Sequence, residues 1–287
     1  MKKILVTGAT GFIGNYVIKE LMENNCKVIA TSSNDQKAAE FSWYPQVIYI
    51  PFDFRHLDDC VNYFTFFNEP DEVIHLAWEG LPNYKASFHT EENLPRHRAF
   101  LTNLIHNGLK DLTVTGTCFE YGNQEGCLSE KMECQPANAY AIAKDTLQKD
   151  LTALRKEYDF VLKWVRLFYM YGRGQSPNSL FSQLDKALEN KDTVFNMSGG
   201  EQERDYLPVE KVARYIVKIA LQNGVTGIIN CCSGQSVKLK DLVAQYLKQR
   251  NRQITLNLGY YPYSDIEPMC FWGDNSKLDS IIHKQRS

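Results

Sequence analysis

The chain has 287 residues, with 32 Lys and Arg against 34 Asp and Glu, so its formal net charge is only −2. This even balance gives no electrostatic case for binding nucleic acid. The apolar runs are of strand length, so no segment is predicted to span a membrane, and the N-terminus lacks the features of a signal peptide. Such a length allows one large α/β unit or two modest domains.

The eight cysteines show neither the paired CxxC spacing of a metal site nor the density of a disulfide scaffold. We therefore expect free, mostly buried thiols of a reducing cytoplasm, and no bound metal. Cys118, beside Thr117, could be a nucleophile. No His or basic partner accompanies it, which argues against that role.

Apolar strands and amphipathic helices alternate along the first part of the chain. The predicted strands cover residues 3–7, 27–31, 47–51, 72–77, 112–115 and 160–167. The predicted helices cover residues 12–24, 60–67, 93–107 and 137–156. Such alternation indicates a Rossmann-type α/β fold, a doubly wound parallel sheet with ligand sites at the carboxyl ends of its strands.

After Arg166 the alternation loosens. The predicted elements are helices over 179–190, 209–222 and 239–250, a strand over 227–231, and an ordered loop over 260–268. No low-complexity linker separates two halves, so a second domain is expected to be interwoven with the first. We assign residues 1–166 with about 205–232 to a cofactor domain, and 167–204 with 233–287 to a smaller substrate domain.

Gly8, Gly11 and Gly14 form a GxxGxxG pattern between the first strand and the first helix. The first glycine allows a tight turn, the second lets a pyrophosphate approach the backbone, and the third lets helix pack on strand. A glycine turn without a ligand is the alternative, but this position favours a dinucleotide site. The neighbouring residues expected at the cofactor are Thr10, Phe12 and Ile13.

The far end of the cofactor is expected near the second and third strands. Ser32 stands where an NAD-specific site usually has an acidic residue, so a 2′-phosphate is not repelled. No Arg is present there to bind that phosphate, so NADH and NADPH both remain open, with NADPH slightly favoured. Asp53, followed by Phe54, is placed to hold the adenine amino group, although a surface turn residue would look the same.

Tyr140 and Lys144 lie four residues apart on a predicted helix, so their side chains share one face. The ammonium can lower the pKa of the phenol, which would make Tyr140 a proton donor and acceptor near neutral pH. With a nicotinamide beside it, this pair indicates carbonyl reduction or alcohol oxidation.

Together these motifs resemble the extended short-chain dehydrogenase/reductase family of nucleotide-sugar epimerases, dehydratases and reductases, over nearly the whole chain. The matching segments are TGATGFIG (7–14), HLA (75–77), Asn93, TCFEYG (117–122), YAIAK (140–144), Arg166 with Tyr171-Gly172, and Arg204-Asp205-Tyr206 with Val209. The resemblance implies that Thr117 hydrogen-bonds the reacting sugar oxygen, that Tyr140 is the acid/base, and that Lys144 binds the nicotinamide ribose.

The resemblance also implies further contacts. Cofactor contacts are expected from Leu76, Ala77, Trp78 and Asn93, and substrate contacts from Trp78, Thr117, Cys118, Phe119, Tyr169, Asn178 and Arg204. Arg204 is expected at the substrate diphosphate, whose geometry suits a guanidinium. Arg204 could instead pair with a carboxylate, and Trp78 could fill core.

Departures from the family pattern narrow the reaction. The 4,6-dehydratases carry an Asp-Glu pair directly after the catalytic Thr, where this chain has Cys118 and Phe119. Neither can move the protons of that reaction, so dehydration is disfavoured. Trp78 and Tyr169 replace the usual Ala and Asn, and residues 78–84 should form an unusual substrate wall. The short chain and Ser32 resemble deoxysugar 4-reductases more than the longer epimerases.

The favoured hypothesis is NAD(P)H-dependent reduction of the C4 keto group of a dTDP-linked 4-keto-6-deoxyhexose, giving a fucose- or 6-deoxytalose-type product for bacterial O-antigen or capsule. A GDP- or CDP-sugar stays open. A nucleotide-sugar 4-epimerase with tightly bound NAD is the alternative, and a non-catalytic NADP-sensing regulator is a remote one. Family resemblance also implies a cytoplasmic homodimer, formed by a four-helix bundle of helices 93–107 and 137–156.

Overall fold

Strands and helices alternate through residues 1–263 and 267–283, the part of the chain that this computed structural model describes. The strands are β1 (Lys3–Thr7), β2 (Lys27–Thr31), β3 (Ile48–Tyr49), β4 (Glu72–His75), β5 (Asp111–Thr117), β6 (Gly126–Leu128), β7 (Val161–Leu167), β8 (Tyr169–Tyr171), β9 (Val194–Asn196), β10 (Glu203–Arg204), β11 (Tyr206–Pro208), β12 (Gly227–Cys231), β13 (Val237–Lys238), β14 (Thr255–Asn257) and β15 (Phe271–Gly273). The helices are α1 (Phe12–Glu23), α2 (Asp35–Ala39), α3 (Tyr63–Phe66), α4 (Leu94–His106), α5 (Ala139–Leu154), α6 (Leu180–Glu189), α7 (Val209–Ala220), α8 (Leu239–Gln249) and α9 (Ser276–His283).

Seven of these strands form one parallel sheet in the order β12-β7-β5-β4-β1-β2-β3. The chain runs outward from β1 in both directions, so the sheet is doubly wound and the predicted fold class is confirmed. The strand order reverses between β1 and β4, and ligands of such sheets bind outside the carboxyl ends of the strands at that reversal. The glycine loop follows β1 at this point.

Apolar side chains cover both faces of the sheet. On one face α1 packs against α7, and on the other α4 packs against α5. Ile18 and Ile216 lie in the first of these clusters, and Phe100 and Leu147 in the second. Because both faces are covered, the central strands are buried. This burial explains why their sequences are continuous apolar runs, from which the strands were predicted.

Several predicted bounds are too long. The predicted strand over 47–51 is only two residues, since it lies at the sheet edge and pairs with β2 alone. The predicted helix over 60–67 is reduced to α3, because the Asn62 side chain caps the helix by accepting from the Thr65 N–H. Conversely, α2 and α9 were not predicted.

The helix expected to begin at Asn93 starts about one turn earlier. A π-helical turn, His89–Asn93, runs directly into α4. This earlier start places the buried side chains of His89 and Asn93 beneath the loop that follows β4. That loop forms one wall of the site described below.

The C-terminal part carries a separate apolar cluster, between α6, α8 and β9, which includes Phe181 and Tyr246. Short two-stranded pairings, β9 with β14 and β10 with β13, join its loops. The loop expected over 260–268 includes residues 264–266, which lie outside the described residues. Within the described ranges, no helix is long and apolar enough to cross a bilayer.

All eight cysteines are free, as expected. The expectation that most are buried is wrong, because only Cys118, Cys231 and Cys232 are buried, while Cys60 and Cys127 are exposed. The buried three lie in the interior near the ends of β5 and β12, and the exposed two lie on surface segments.

Candidate functional site

The glycine loop has no room for side chains. Gly8 has a φ of +69°, and a Cβ there would lie 2.9 Å from the Ala77 nitrogen. At Gly14 a Cβ would lie 2.2 Å from the carbonyl oxygen of Gly8. Glycines are therefore required at both positions for a tight turn against the end of β4 and for close packing of α1.

The N-terminus of α1 opens at this loop. Gly11 is the N-cap residue, and among the described residues no side chain caps the first turn of the helix. Its N–H groups and the positive end of the helix dipole therefore remain available to an anion. Together with the absence of room for a Cβ at Gly8 and Gly14, this arrangement fits a dinucleotide pyrophosphate.

Thr7 ties the two strands at the sheet reversal together. Its Oγ accepts hydrogen bonds from the backbone N–H groups of Leu76 and Ala77, both at 3.2 Å, and lies 2.9 Å from Nδ1 of His75. The expected cofactor residues Leu76 and Ala77 are thereby held directly beside Gly8.

Directly after β2, Ser32 pairs with a residue that the sequence did not suggest. Its hydroxyl lies 2.9 Å from that of Tyr49 on β3. The Asp53 carboxylate accepts from the Arg55 side chain at 2.9 Å, which lowers the pKa of Asp53 to about 2. The Phe54 side chain is buried in the aromatic core around Phe100, so only its backbone is free to face a cofactor.

Beyond the glycine loop, a pocket of about 210 Å³ brings several predicted residues together. Its predicted members are Ile13, Thr117, Cys118, Phe119, Tyr140 and Tyr169. Its other members are Leu81, Tyr84, Gly116, Leu167, Phe168, Met170 and Gln175. Tyr84 lies at the end of the segment expected to form a wall, whereas no sequence signal marked Gln175.

One buried polar atom of this pocket, Oε1 of Gln175, has no hydrogen-bond partner among the described residues. Burial raises the pKa of the nearby Tyr169 phenol, and the Glu267 side chain raises it further. The amide nitrogen of Gln175 is already used, since it donates to the Met170 carbonyl at 2.9 Å. An unpaired buried polar atom is unfavourable unless a ligand or water completes it. Because Tyr169 and Gln175 both line the pocket, it offers hydrogen-bonding positions to a polar ligand.

Thr117 ends β5 and is held by Glu120. The Glu120 carboxylate accepts from the Thr117 backbone N–H at 2.8 Å, while the Thr117 hydroxyl accepts from the Phe119 N–H at 3.3 Å. These reciprocal bonds form a capping box around the turn after β5. The Thr117 side chain also lies close to the phenol of Tyr140 and acts to lower the pKa of that phenol.

Glu120 is itself fixed from behind. It accepts from Arg166 Nε at 2.7 Å and from Trp164 Nε1 at 3.0 Å, and all three side chains are fully buried. Burial raises the pKa of Glu120, whereas the Arg166 charge lowers it. Side-chain atoms of Glu120, Cys134 and Asp145 converge within 4.8 Å. Arg166 donates to Cys134 as well as to Glu120, and so supplies the positive charge there.

Tyr140 and Lys144 lie on the first turns of α5, which begins at the Asn138 cap. Both side chains are buried, and the Tyr140 N–H donates to the Tyr84 carbonyl at 3.0 Å. The predicted helical face is therefore present, and it points Tyr140 into the pocket while Lys144 lies beneath it.

The expected lowering of the Tyr140 pKa is wrong for this structure. Burial raises the pKa of the phenol, and the neighbouring Tyr84 and Glu120 raise it further, while the Thr117 side chain acts to lower it. Lys144 donates to the Thr115 carbonyl at 2.9 Å instead of to the phenol. Burial lowers the pKa of Lys144 itself to about 7, against a raising effect of the Glu120 charge.

Trp78 was expected to line the substrate and cofactor sites, but it is absent from the lining of the pocket. Its ring instead lies beside Lys144 and stacks on His97 at a centroid distance of 4.8 Å. Asn93, also expected at the cofactor, donates from its amide to the Glu79 carbonyl at 3.0 Å and so holds the loop after β4.

Arg204 is buried and already paired. Its Nε and one terminal nitrogen donate to Glu267 Oε2 at 3.2 and 3.0 Å, and its other terminal nitrogen donates to main-chain carbonyls. The pairing with a carboxylate, foreseen as the alternative, is thus present. Asn178 is exposed on the loop before α6 and does not line the pocket.

Cys118 lines the pocket, but its thiol is buried. Burial raises the pKa of this thiol far above its ordinary value, and the Glu267 charge adds to the rise. Because the thiolate is the nucleophilic form, this environment argues against nucleophilic catalysis by Cys118. The neutral thiol serves as a small apolar wall instead.

Comparisons with known proteins agree with this geometry. Residues 4–232 match the family model described as the NAD dependent epimerase/dehydratase family. The chain is 29% identical over 273 residues to dTDP-6-deoxy-L-talose 4-dehydrogenase (NAD(+)) of Aggregatibacter actinomycetemcomitans, covering 94% of this chain and 98% of that protein. It is 25% identical over 257 residues to dTDP-4-dehydro-6-deoxyglucose reductase of Escherichia coli, covering 84% of this chain and 79% of that protein.

A solved structure shares the fold. The UDP-glucuronic acid 4-epimerase from Bacillus cereus, solved in complex with UDP-glucuronic acid and NAD, matches with a TM-score of 0.80 and 23% identity. The match covers 99% of this chain and 93% of that chain.

Proposed function

This chain is an enzyme of the NAD-dependent epimerase/dehydratase family, and we propose that it reduces the C4 keto group of a nucleotide-linked 4-keto-6-deoxyhexose. The nucleotide that we favour is dTDP, which both named sequence relatives carry in their substrates' names. The product would be a fucose- or 6-deoxytalose-type sugar for bacterial surface polysaccharide. The observation that carries the proposal is one pocket that holds Tyr140 and Thr117 beside the glycine loop.

The protonation state of Tyr140 is compatible with reduction. Because burial raises the pKa of its phenol, Tyr140 holds its proton at neutral pH. A reductase needs this form of the acid before the reaction, since the carbonyl oxygen must gain a proton as it becomes an alcohol. Oxidation of the alcohol, the reverse reaction, would need the phenolate instead.

Thr117, Tyr140 and Lys144 have different roles in the proposed reaction. The bound nicotinamide supplies the hydride that the sugar C4 gains. Thr117 would donate a hydrogen bond from its hydroxyl to the C4 oxygen and so polarise the carbonyl. Tyr140 transfers its phenolic proton to that oxygen, and the nearby charge of Lys144 stabilises the phenolate that remains.

The pocket walls support a deoxysugar. Cys118 and Phe119 offer neither an acid nor a base next to Thr117, where the 4,6-dehydratases carry theirs, so dehydration is disfavoured. Both residues present apolar surface that suits a C6 methyl group. Gln175, whose buried Oε1 has no partner among the described residues, and Tyr169, which lines the same pocket, would bind sugar hydroxyls.

Several finer points belong to the same proposal. The cofactor is NADH or NADPH, because the Ser32–Tyr49 pair carries no charge that would repel or bind a 2′-phosphate. Residues 1–166 with about 205–232 would hold the cofactor, and the remaining segments the sugar nucleotide. We further propose a cytoplasmic homodimer whose interface is formed by α4 and α5.

A direct test is the decay of NADH and NADPH absorbance with purified protein and dTDP-4-keto-6-deoxyglucose, followed by NMR of the product. Stoichiometric consumption with a 4-hydroxy product is expected, and the C4 configuration would name the product. A sugar isomer formed without net consumption would contradict reduction and establish the alternative 4-epimerase. Cofactor binding without any conversion would point to the non-catalytic alternative.

A further inference from the structure

One indole touches both members of the Tyr140/Lys144 pair. The ammonium of Lys144 lies over the ring of Trp78, 4.1 Å from its centroid. The ring of Tyr140 meets the same indole edge to face, at a centroid distance of 6.0 Å and an interplanar angle of 67°. Trp78 follows β4, whereas the pair lies on α5, so this contact joins two separate elements of the site.

The ring face is a main partner of the Lys144 charge. Lys144 is 1% exposed and, among the residues that the structure describes, makes a single hydrogen bond, to the Thr115 carbonyl. An ammonium has three N–H donors, and burial penalises its charge unless other groups compensate. An aromatic face within about 6 Å attracts a cation and favours the protonated amine. Trp78 occupies that place.

The orientation of the indole is fixed by His89. Trp78 Nε1 donates to His89 Nδ1 at 3.0 Å, and His89 Nε2 lies 3.0 Å from the Asn83 carbonyl. A carbonyl can only accept, so the ring proton must be on Nε2, and Nδ1 is then the acceptor that the indole needs. One neutral tautomer of His89 therefore satisfies both bonds.

Burial also keeps His89 in this neutral form. The side chain is fully buried, and burial lowers its pKa. A proton on Nδ1 would oppose the indole N–H and break the bond to Trp78. The loop after β4 is thus closed by a chain of contacts from Asn83 through His89 and Trp78 to Lys144.

We propose that Trp78 and His89 are a positioning pair for the reaction: Trp78 holds the charged amine of Lys144 with its ring face, and His89 locks the indole in place. Neither touches the reacting atoms. The proposal rests on the proposed function only in taking Lys144 as a contact of the bound cofactor.

Other groups also bear on Lys144 and must be separated from Trp78. Glu120 raises the pKa of Lys144 by its charge. His75 and His97 are neutral, because burial lowers the pKa of each well below its ordinary value. Tyr140 is an uncharged phenol at neutral pH. Substitutions confined to Trp78 and His89 keep all four residues, although they remove the ring contacts of Trp78 with His97 and Tyr140.

The test measures the affinity for NADH from pH 5.5 to 9.5, by the fluorescence of the bound cofactor, in the wild type and in three variants. Trp78→Leu keeps apolar bulk but removes the ring face, so the pH at which affinity is lost should fall by about half to one and a half units. Trp78→Phe keeps an aromatic ring, so its midpoint should lie close to that of the wild type. His89→Leu should shift the midpoint in the same direction, by less than Trp78→Leu.

A purely structural role for Trp78 would weaken binding equally at every pH, and an unshifted midpoint in Trp78→Leu would overturn the proposal. If Trp78→Leu does not fold, as judged by thermal unfolding, an unshifted midpoint in His89→Leu has the same meaning. Lys144→Met should abolish the pH dependence, and its persistence would show that another group titrates. None of these measurements uses a sugar, so absence of keto-sugar turnover would defeat the proposed function alone.

Discussion

The buried Glu120 carboxylate accepts a hydrogen bond from the backbone N–H of Thr117 at 2.8 Å. The same carboxylate is bound by Arg166 and Trp164, so a buried ion pair determines where β5 ends and where the Thr117 hydroxyl points. The site is therefore positioned from behind by residues that have no access to a ligand.

Glu120→Gln should destabilise the protein and slow it. The introduced amide would place N–H groups against the N–H donors of Thr117, Trp164 and Arg166. The buried Arg166 charge would also lose its carboxylate partner. Breaking a buried pair in this way costs about 3 to 5 kcal/mol. Urea unfolding would measure the loss, and the exposed Glu157→Gln is the matched control. An unfolding free energy equal to that of the control would show that Glu120 is not a required partner.

Tyr140→Phe should lose roughly two or more orders of magnitude in kcat, because the C4 oxygen loses its proton donor. Cofactor affinity should be nearly retained, since the ring stays in place between Trp78 and Tyr84. Steady-state kinetics and NADH titration would measure both quantities, with Tyr215→Phe as a remote control. Near-normal turnover in Tyr140→Phe would remove Tyr140 from its role.

Lys144→Met should make the protein more stable at the expense of function. Burial lowers the pKa of Lys144 to about 7, so its charged form is unfavourable in the folded state. Between pH 7 and the unfolded value near 10.5, the unfolded chain binds the proton more tightly, so the stability of the wild type rises with pH.

The gain from Lys144→Met should therefore be largest at pH 6 and should shrink toward pH 10. Its upper limit is about 5 kcal/mol, since the pKa of Lys144 falls from 10.5 to about 7 and one pKa unit corresponds to about 1.4 kcal/mol. Urea unfolding would measure the free energy of unfolding of both proteins at pH 6 and pH 10. Contributions of other titrating groups are common to both proteins and cancel in the difference between them. A gain that is the same at both values would show that the Lys144 charge is not penalised by the fold.

Gly14→Ala should weaken the binding of NADH at least tenfold. The added methyl group would lie 2.2 Å from the Gly8 carbonyl oxygen, so α1 must move away from the glycine loop. Gly224→Ala is the matched control, because its methyl group would meet its nearest neighbour only at 3.8 Å. Calorimetric titration with NADH would compare the two, and equal affinities would contradict a cofactor site at this loop.

Much of the fold could be predicted from the sequence, because buried parallel strands and amphipathic helices leave strong periodic patterns. The strands at 3–7, 27–31 and 227–231 have the predicted bounds. Short elements were mispredicted, since their ends depend on local caps such as Asn62 at α3. The π-helical turn before α4 has no pattern of its own, and α2 is too short to show a period.

The candidate site could be predicted only in part. Spacing indicated that Tyr140 and Lys144 share a helix face. It could not indicate that the Lys144 ammonium lies over the Trp78 ring, because that contact joins segments far apart in the chain. The direction of the Tyr140 pKa shift depends on burial, which the local sequence does not reveal. The roles of Thr117, Tyr140 and Lys144 stay predictions, of which Tyr140→Phe and Lys144→Met test the last two.

The central claim is that hydride passes from the cofactor to the sugar C4. The most direct measurement uses NADH carrying deuterium on the transferable face at C4, with dTDP-4-keto-6-deoxyglucose as substrate and mass spectrometry and NMR of the product. We expect one deuterium, bound to C4 of a 4-hydroxy sugar, for each cofactor oxidised. A sugar product without deuterium at C4, formed while the cofactor stays reduced, would contradict the claim.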